Sequence, residues 1–147
     1  MIINKDQLLR AAPIKGMSAY KWQGKHASYG MSECGYDIRL KESVWMFLGR
    51  RFVLRSAIEE FDMPNWLMGR VLNKSTWARH GIDASMTTNI EPGWRGFLTL
   101  ELHYRKAMPL YIPAGVGIAQ VIFEQIAVPT TYEGKYQDQP DMPVPAR

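Results

Sequence analysis

The stretch GFLTLELHY, residues 96–104, decides the fold. Its side chains alternate with a period of two, so that Leu98, Leu100, Leu102 and Tyr104 share one face while Phe97, Thr99, Glu101 and His103 share the other. This is the pattern of a β-strand whose leucine face turns to a core. Glu101, with Thr99 and His103 beside it, is expected on the opposite face, toward either solvent or a cleft.

Outward from this strand, the chain keeps the same rhythm. RFVLRS (51–56), WLMGRVL (66–72) and AQVIFEQIAV (119–128) have strand length and are rich in β-branched and aromatic residues. Glycine, proline and Asn/Asp signals punctuate them in DMPNW (62–66), IEPGWRG (90–96), IPAGVG (112–117) and YEGKY (132–136). Helical spacing is confined to NKDQLLRAA (4–12), where Leu8, Leu9 and Ala12 make one short face, with a further turn at Ser75–His80. The expected class is all-β with one short N-terminal helix.

The 147 residues amount to one domain, and 46% apolar with 22% charged residues is a globular composition. A net charge of +4 suits a phosphorylated ligand or a nucleic acid without selecting either. No apolar run approaches the roughly 18 residues of a membrane span, and MIINKDQLLR lacks the apolar centre of a signal peptide, so a cytoplasmic protein is expected. Cys34 is the only cysteine, which excludes an intrachain disulfide and a cysteine-rich zinc site. From Tyr132 the chain turns polar and proline-rich, the composition of an arm that either frays or docks on a neighbour. The organisation expected is a body over residues 1–131 and an arm over 132–147.

Three segments carry chemistry. NKSTWARHG (73–81) offers the cations Lys74 and Arg79 and the hydroxyls Ser75 and Thr76, a donor set suited to phosphate oxygens, although on pattern alone a plain polar surface turn is the stronger reading. In IEPGWRG, Pro92 and Gly93 make a tight turn that Trp94 can anchor, which leaves Glu91 as the residue in search of a role. The third is Glu101 itself. His26, His80 and His103 lack metal-ligand spacing, and the His-x-Glu and Pro-Cys-x-x-Cys pattern of zinc deaminases is absent, so no zinc and no protein-held metal are expected. Ser75 lacks a His/Asp partnership of the hydrolase-triad type.

Taken in order, SYGMSECGYDIRL, NKSTWARHG, IEPGWRGFLTLEL, AGVGIAQVIF and YEGKYQDQ resemble the successive motifs of the dCTP deaminases, trimeric relatives of the dUTPases. The resemblance runs from about Ser28 to Gln139 and implies a distorted β-barrel or jelly-roll of the dUTPase-like type. It further implies a homotrimer with active sites between subunits and a C-terminal segment that closes over the nucleotide. It places the catalytic glutamate at Glu101, and the serine and arginine of the family's S-x-x-A-R motif at Ser75 and Arg79. Lys74, Thr76, Glu91, Thr99, Leu100, Gln120, Tyr132, Lys135 and Gln139 match nucleotide-contacting positions, Thr99 and Leu100 through backbone groups.

The activity implied is zinc-independent hydrolysis of dCTP to dUTP and ammonia, with Mg²⁺ arriving on the triphosphate and neither nucleic acid nor membrane as a partner. A dUTPase, or a bifunctional enzyme giving dUMP, is the alternative, since Glu91 stands where dUTPases activate water. A nucleotide-binding protein without turnover is a further alternative. The shorter N-terminal segment and the trimmed connection from Phe123 to Lys135 mark a compact variant. Trp77 is expected to pack inward.

Overall fold

A computed structural model describes residues 1–146. Helix α1 spans Lys5–Ala11 and is followed by strands β1 (Lys21–Trp22), β2 (Tyr29–Ser32), β3 (Gly35–Arg39), β4 (Val44–Met46), β5 (Phe52–Asp62) and β6 (Leu67–Asn73). Helix α2 (Ser75–His80) precedes β7 (Ile82–Asp83), a 3₁₀ turn (Ser85–Thr87), β8 (Asn89–Ile90), β9 (Arg95–Tyr104), β10 (Leu110–Ile112) and β11 (Gly117–Gln125). The all-β reading and the N-terminal helix hold. The turn expected at Ser75–His80 is one full helix, closed by Gly81 at φ 95, a left-handed conformation that glycine adopts without strain.

The strands form three antiparallel sheets among the described residues, ordered β1-β2-β3-β11-β6-β8, β5-β9-β7 and β10-β4. The alternation read in residues 96–104 is realised: Leu98, Leu100, Leu102 and Tyr104 are buried, and Phe97, Thr99, Glu101 and His103 are partly exposed. Each buried leucine contributes roughly 1.5–3 kcal/mol by leaving water. Facing apolar residues of β11, among them Ile118, Val121 and Phe123, complete that core. On β5, Leu54 lies opposite Glu101 and Ser56 opposite Thr99, so Phe52, Leu54 and Ser56 share the face that carries Glu101.

The segment from Tyr132 has neither helix nor named strand and lies along the free edge of β9 in its own chain. Phe97 N–H donates to the Gln139 carbonyl at 3.1 Å, and Trp94 Nε1 donates to the Tyr136 carbonyl at 2.6 Å. Gln137 Nε2 donates to the Gly93 carbonyl, and Val144 N–H donates to Thr99 Oγ1 at 2.9 Å. Gly96, at φ 130, makes this approach possible, because a Cβ there would stand 2.5 Å from the Gln139 nitrogen. Trp94 anchors the turn at 5% exposure, as its size suggested. No helix among the described residues is long and apolar enough to cross a membrane.

Candidate active site

The polar face of β9 does not look into open solvent. Together with the end of β5, the segment Thr87–Glu91 and the docked arm, it encloses a cavity of about 470 Å³, within the range of small-molecule sites. Five of the anticipated residues line it: Glu91, Thr99, Glu101, Tyr132 and Gln139. The carboxylate of Glu101 has no hydrogen-bond or ion-pair partner among the described residues, whereas its backbone N–H donates to Thr87 Oγ1 at 2.9 Å. An uncommitted carboxylate on a rigid strand, at the wall of a cavity, can accept a proton from water and return it.

Helix α2 presents a different arrangement. Ser75 and Arg79 are exposed, and neither the Ser75 hydroxyl nor the Arg79 guanidinium has a partner among the described residues. Beneath them the helix is tied down. Trp77 packs inward at 5% exposure, with Nε1 donating to the Gly117 carbonyl at 2.8 Å. None of Lys74, Ser75, Thr76 or Arg79 lines the cavity that holds Glu101. One chain therefore displays two separate sets of free polar groups.

Two expected contacts are corrected. Lys74 is not a free phosphate donor: its ammonium is 2.5 Å from Asp37 Oδ2 and donates to Ser28 Oγ at 3.2 Å, at 9% exposure. The buried Asp37 carboxylate needs a counter-charge, and Lys74 supplies the nearer one from the base of α2, Lys21 standing farther off at 3.6 Å. Leu100 is fully buried on the core face. Because Phe97 and Glu101 turn their N–H groups to the outer edge of β9, Leu100 turns its own toward β5 and away from the cavity. Thr99 remains at the cavity, but its hydroxyl accepts from the arm.

Gln120 sits on β11, donates to Ser32 Oγ at 3.1 Å and stands outside the cavity lining, as do partly buried Thr76 and exposed Lys135. The Lys135 ammonium lies over the Tyr136 ring, 5.2 Å from its centroid. Residues that sequence reading passed over also line the cavity, notably Thr87, Thr88, Tyr136 and Val144. Thr88 has φ 65, rare for a β-branched residue and a mark of a constrained position. The signal for it was the short polar run TTN (87–89) just before Ile90.

A family model described as dCTP deaminase-like matches residues 48–126. The chain belongs to the dCTP deaminase family. The matched segment contains β5, α2 and β9, hence Ser75, Arg79 and Glu101, and stops short of the arm. The dCTP deaminase of Campylobacter fetus is 35% identical over 80% of this chain and 81% of its own length. That of Herpetosiphon aurantiacus is 33% identical over 84% of each.

Solved structures extend the likeness to the fold. The 2′-deoxycytidine 5′-triphosphate deaminase from Agrobacterium tumefaciens superposes with a TM-score of 0.58 at 16% identity, covering 84% of this chain. This chain spans about half of that protein, 47% of its length. The EIAV dUTPase superposes equally well, at 0.58 and 16% identity, over 77% of this chain and 93% of its own. At these identities the superpositions carry the dUTPase-like architecture alone. Membership of the dCTP deaminase family rests on the sequence matches.

Proposed function

We propose that the protein deaminates dCTP hydrolytically, giving dUTP and ammonia, with Glu101 as general base and then general acid. The observation that carries this is the free carboxylate of Glu101 at the wall of a cavity of about 470 Å³, in a chain of the dCTP deaminase family. In this reading Glu101 takes a proton from water as the water oxygen adds to C4 of cytosine, and delivers it to ring N3. The tetrahedral C4 hydroxyl then gives up its proton, which reaches the amino nitrogen through the same carboxyl group. The C4–N bond breaks, ammonia leaves and the C4 carbonyl of uracil remains.

Ser75 and Arg79 hold the base and its water and stabilise charge at the intermediate. Since α2 is absent from the lining of its own chain's cavity, these residues come from a neighbouring copy, and a homotrimer supplies them in rotation. Lys135, Gln139 and Tyr132 bring the arm over the nucleotide. Mg²⁺ travels with the triphosphate, bridging its oxygens. A free nucleotide as substrate fits the cytoplasm. Glu91 lines the same cavity, which keeps a second reading in play, the further hydrolysis of dUTP to dUMP.

Incubation with dCTP and Mg²⁺, with products resolved by chromatography, tests both. Release of ammonia with dUTP is the expected result, dUMP would establish the second activity, and no turnover would remove the assignment. Glu101→Gln is expected to lower the rate by about 10²–10⁴-fold while the melting temperature stays near wild type.

A further inference from the structure

The Glu101 backbone is held by a short relay that begins at Asp83. This residue occupies β7, which pairs with β9 immediately beyond the catalytic position, Asp83 lying opposite His103. Its carboxylate does not reach the cavity; it accepts from Ser85 N–H at 3.0 Å and from Ser85 Oγ at 2.5 Å, and it is paired with Arg105. These bonds start the 3₁₀ turn of Ser85–Thr87. The turn is fixed further by Asn73 Oδ1, which accepts from Ala84 N–H at 2.6 Å, and by Val71 N–H, which donates to the Thr88 carbonyl at 2.9 Å.

At the far end of the turn stands Thr87, buried at 8% exposure, whose Oγ1 accepts from Glu101 N–H, and then Thr88 at its positive φ of 65. Asp83, Asn73 and the Thr87 hydroxyl thus set where the turn lies between β6 and β9. A shift of the turn moves the one hydrogen bond that the outward-facing Glu101 amide makes among the described residues. The hydrogen bonds from Ser85, aided by Arg105, hold the Asp83 carboxyl well below the usual carboxylate range, so it remains an acceptor throughout the neutral region.

We propose that Asp83 is a positioning residue for the reaction: through Ser85 and the Thr87 hydroxyl it sets the placement of Glu101 at the cavity wall, without touching substrate. The proposal rests on the reading of Glu101 as the catalytic base, and its test separates the two. In Asp83→Ala, kcat for dCTP is expected to fall about tenfold or more with KM within about threefold, since small misplacement of a catalytic group costs rate rather than binding. Asp83→Asn keeps an oxygen for Ser85 N–H and is expected to recover activity to within about threefold of wild type.

Amide hydrogen exchange gives a readout independent of turnover: exchange at Glu101 is expected to quicken about tenfold in Asp83→Ala while exchange at Phe123 in β11 is unchanged. Unchanged kcat and unchanged Glu101 exchange would overturn the proposal, as would equal loosening of Glu101 and Phe123, which marks a merely structural residue. If Asp83→Ala does not fold, Ser85→Ala takes its place, with the same pattern expected at smaller amplitude and a wild-type result overturning the proposal. If wild-type protein releases no ammonia, the proposed activity fails, and the exchange comparison alone decides whether Asp83 holds Glu101.

Discussion

Two carboxylates stand under the two halves of the candidate site, and they do so differently. Asp37, 1% exposed, lies beneath α2 and is matched by the buried ammonium of Lys74. Asp83, 8% exposed, lies beneath the turn that meets Glu101, and its cationic partner Arg105 has a side chain 68% exposed. In the first, a buried ammonium balances a buried carboxylate, with the exposed Lys21 a more distant partner of Asp37 at 3.6 Å, so removing Asp37 strands Lys74 out of water. In the second, hydrogen bonds from Ser85 dominate and the ion pair is screened. The α2 half is therefore fixed through stability, and the β9 half through local geometry.

This contrast fails if the α2 pair can be broken cheaply. Asp37→Ala is expected to cost about 3–5 kcal/mol of stability, seen as a melting temperature lower by about 10 °C or more. Lys74→Met should cost less than Lys74→Ala, because the aliphatic part of the side chain also fills space. A wild-type melting curve for Asp37→Ala would show that the pair is not the anchor of α2.

The next effect falls on the exposed surface of the same helix. Arg79→Ala is expected to lower kcat/KM by about 10²–10³-fold, roughly 3–4 kcal/mol of transition-state stabilisation, with little change in melting temperature. Mixing it with Glu101→Gln chains after joint refolding sharpens the comparison of halves. If α2 serves a neighbour's cavity, about a quarter of sites regain both groups by random assembly and activity returns; if each chain uses its own α2, none does.

The smallest effect concerns acid. Because the folded Asp83 carboxyl titrates below its unfolded value of about 3.9, it stabilises the fold above that value and loses the contribution as pH falls toward its folded value. The stability gap between wild type and Asp83→Asn is thus expected to be constant above about pH 5 and to close below about pH 4, as followed by urea denaturation.

Much of the β9 half was legible in residues 96–104. The alternation of Leu98, Leu100 and Leu102 with Thr99 and Glu101 is a local property, and a strand has no other way to bury the leucines. Trp94 was likewise readable as an anchor from its size, and Trp77 as an inward-packing residue once its neighbours were matched to substrate contacts. The role of Lys74 was not legible, since a lysine beside a serine and an arginine reads as a phosphate donor until the partner 37 positions away is seen. Leu100 was misplaced for a related reason: direction of its backbone groups depends on which neighbour, β5 or the turn, each edge of β9 meets.

By itself the sequence determined the strand pattern, the short N-terminal helix, the family and the identity of the groups able to move protons, because each depends on residue types at short spacing. Only the tertiary structure decided which of those groups are committed. Asp37 claims Lys74, Val144 claims the Thr99 hydroxyl, and Thr87 takes the Glu101 amide while leaving its carboxylate free. Those pairings join residues 14 to 45 positions apart, and they form because a buried polar group must find a partner wherever the packed chain brings one.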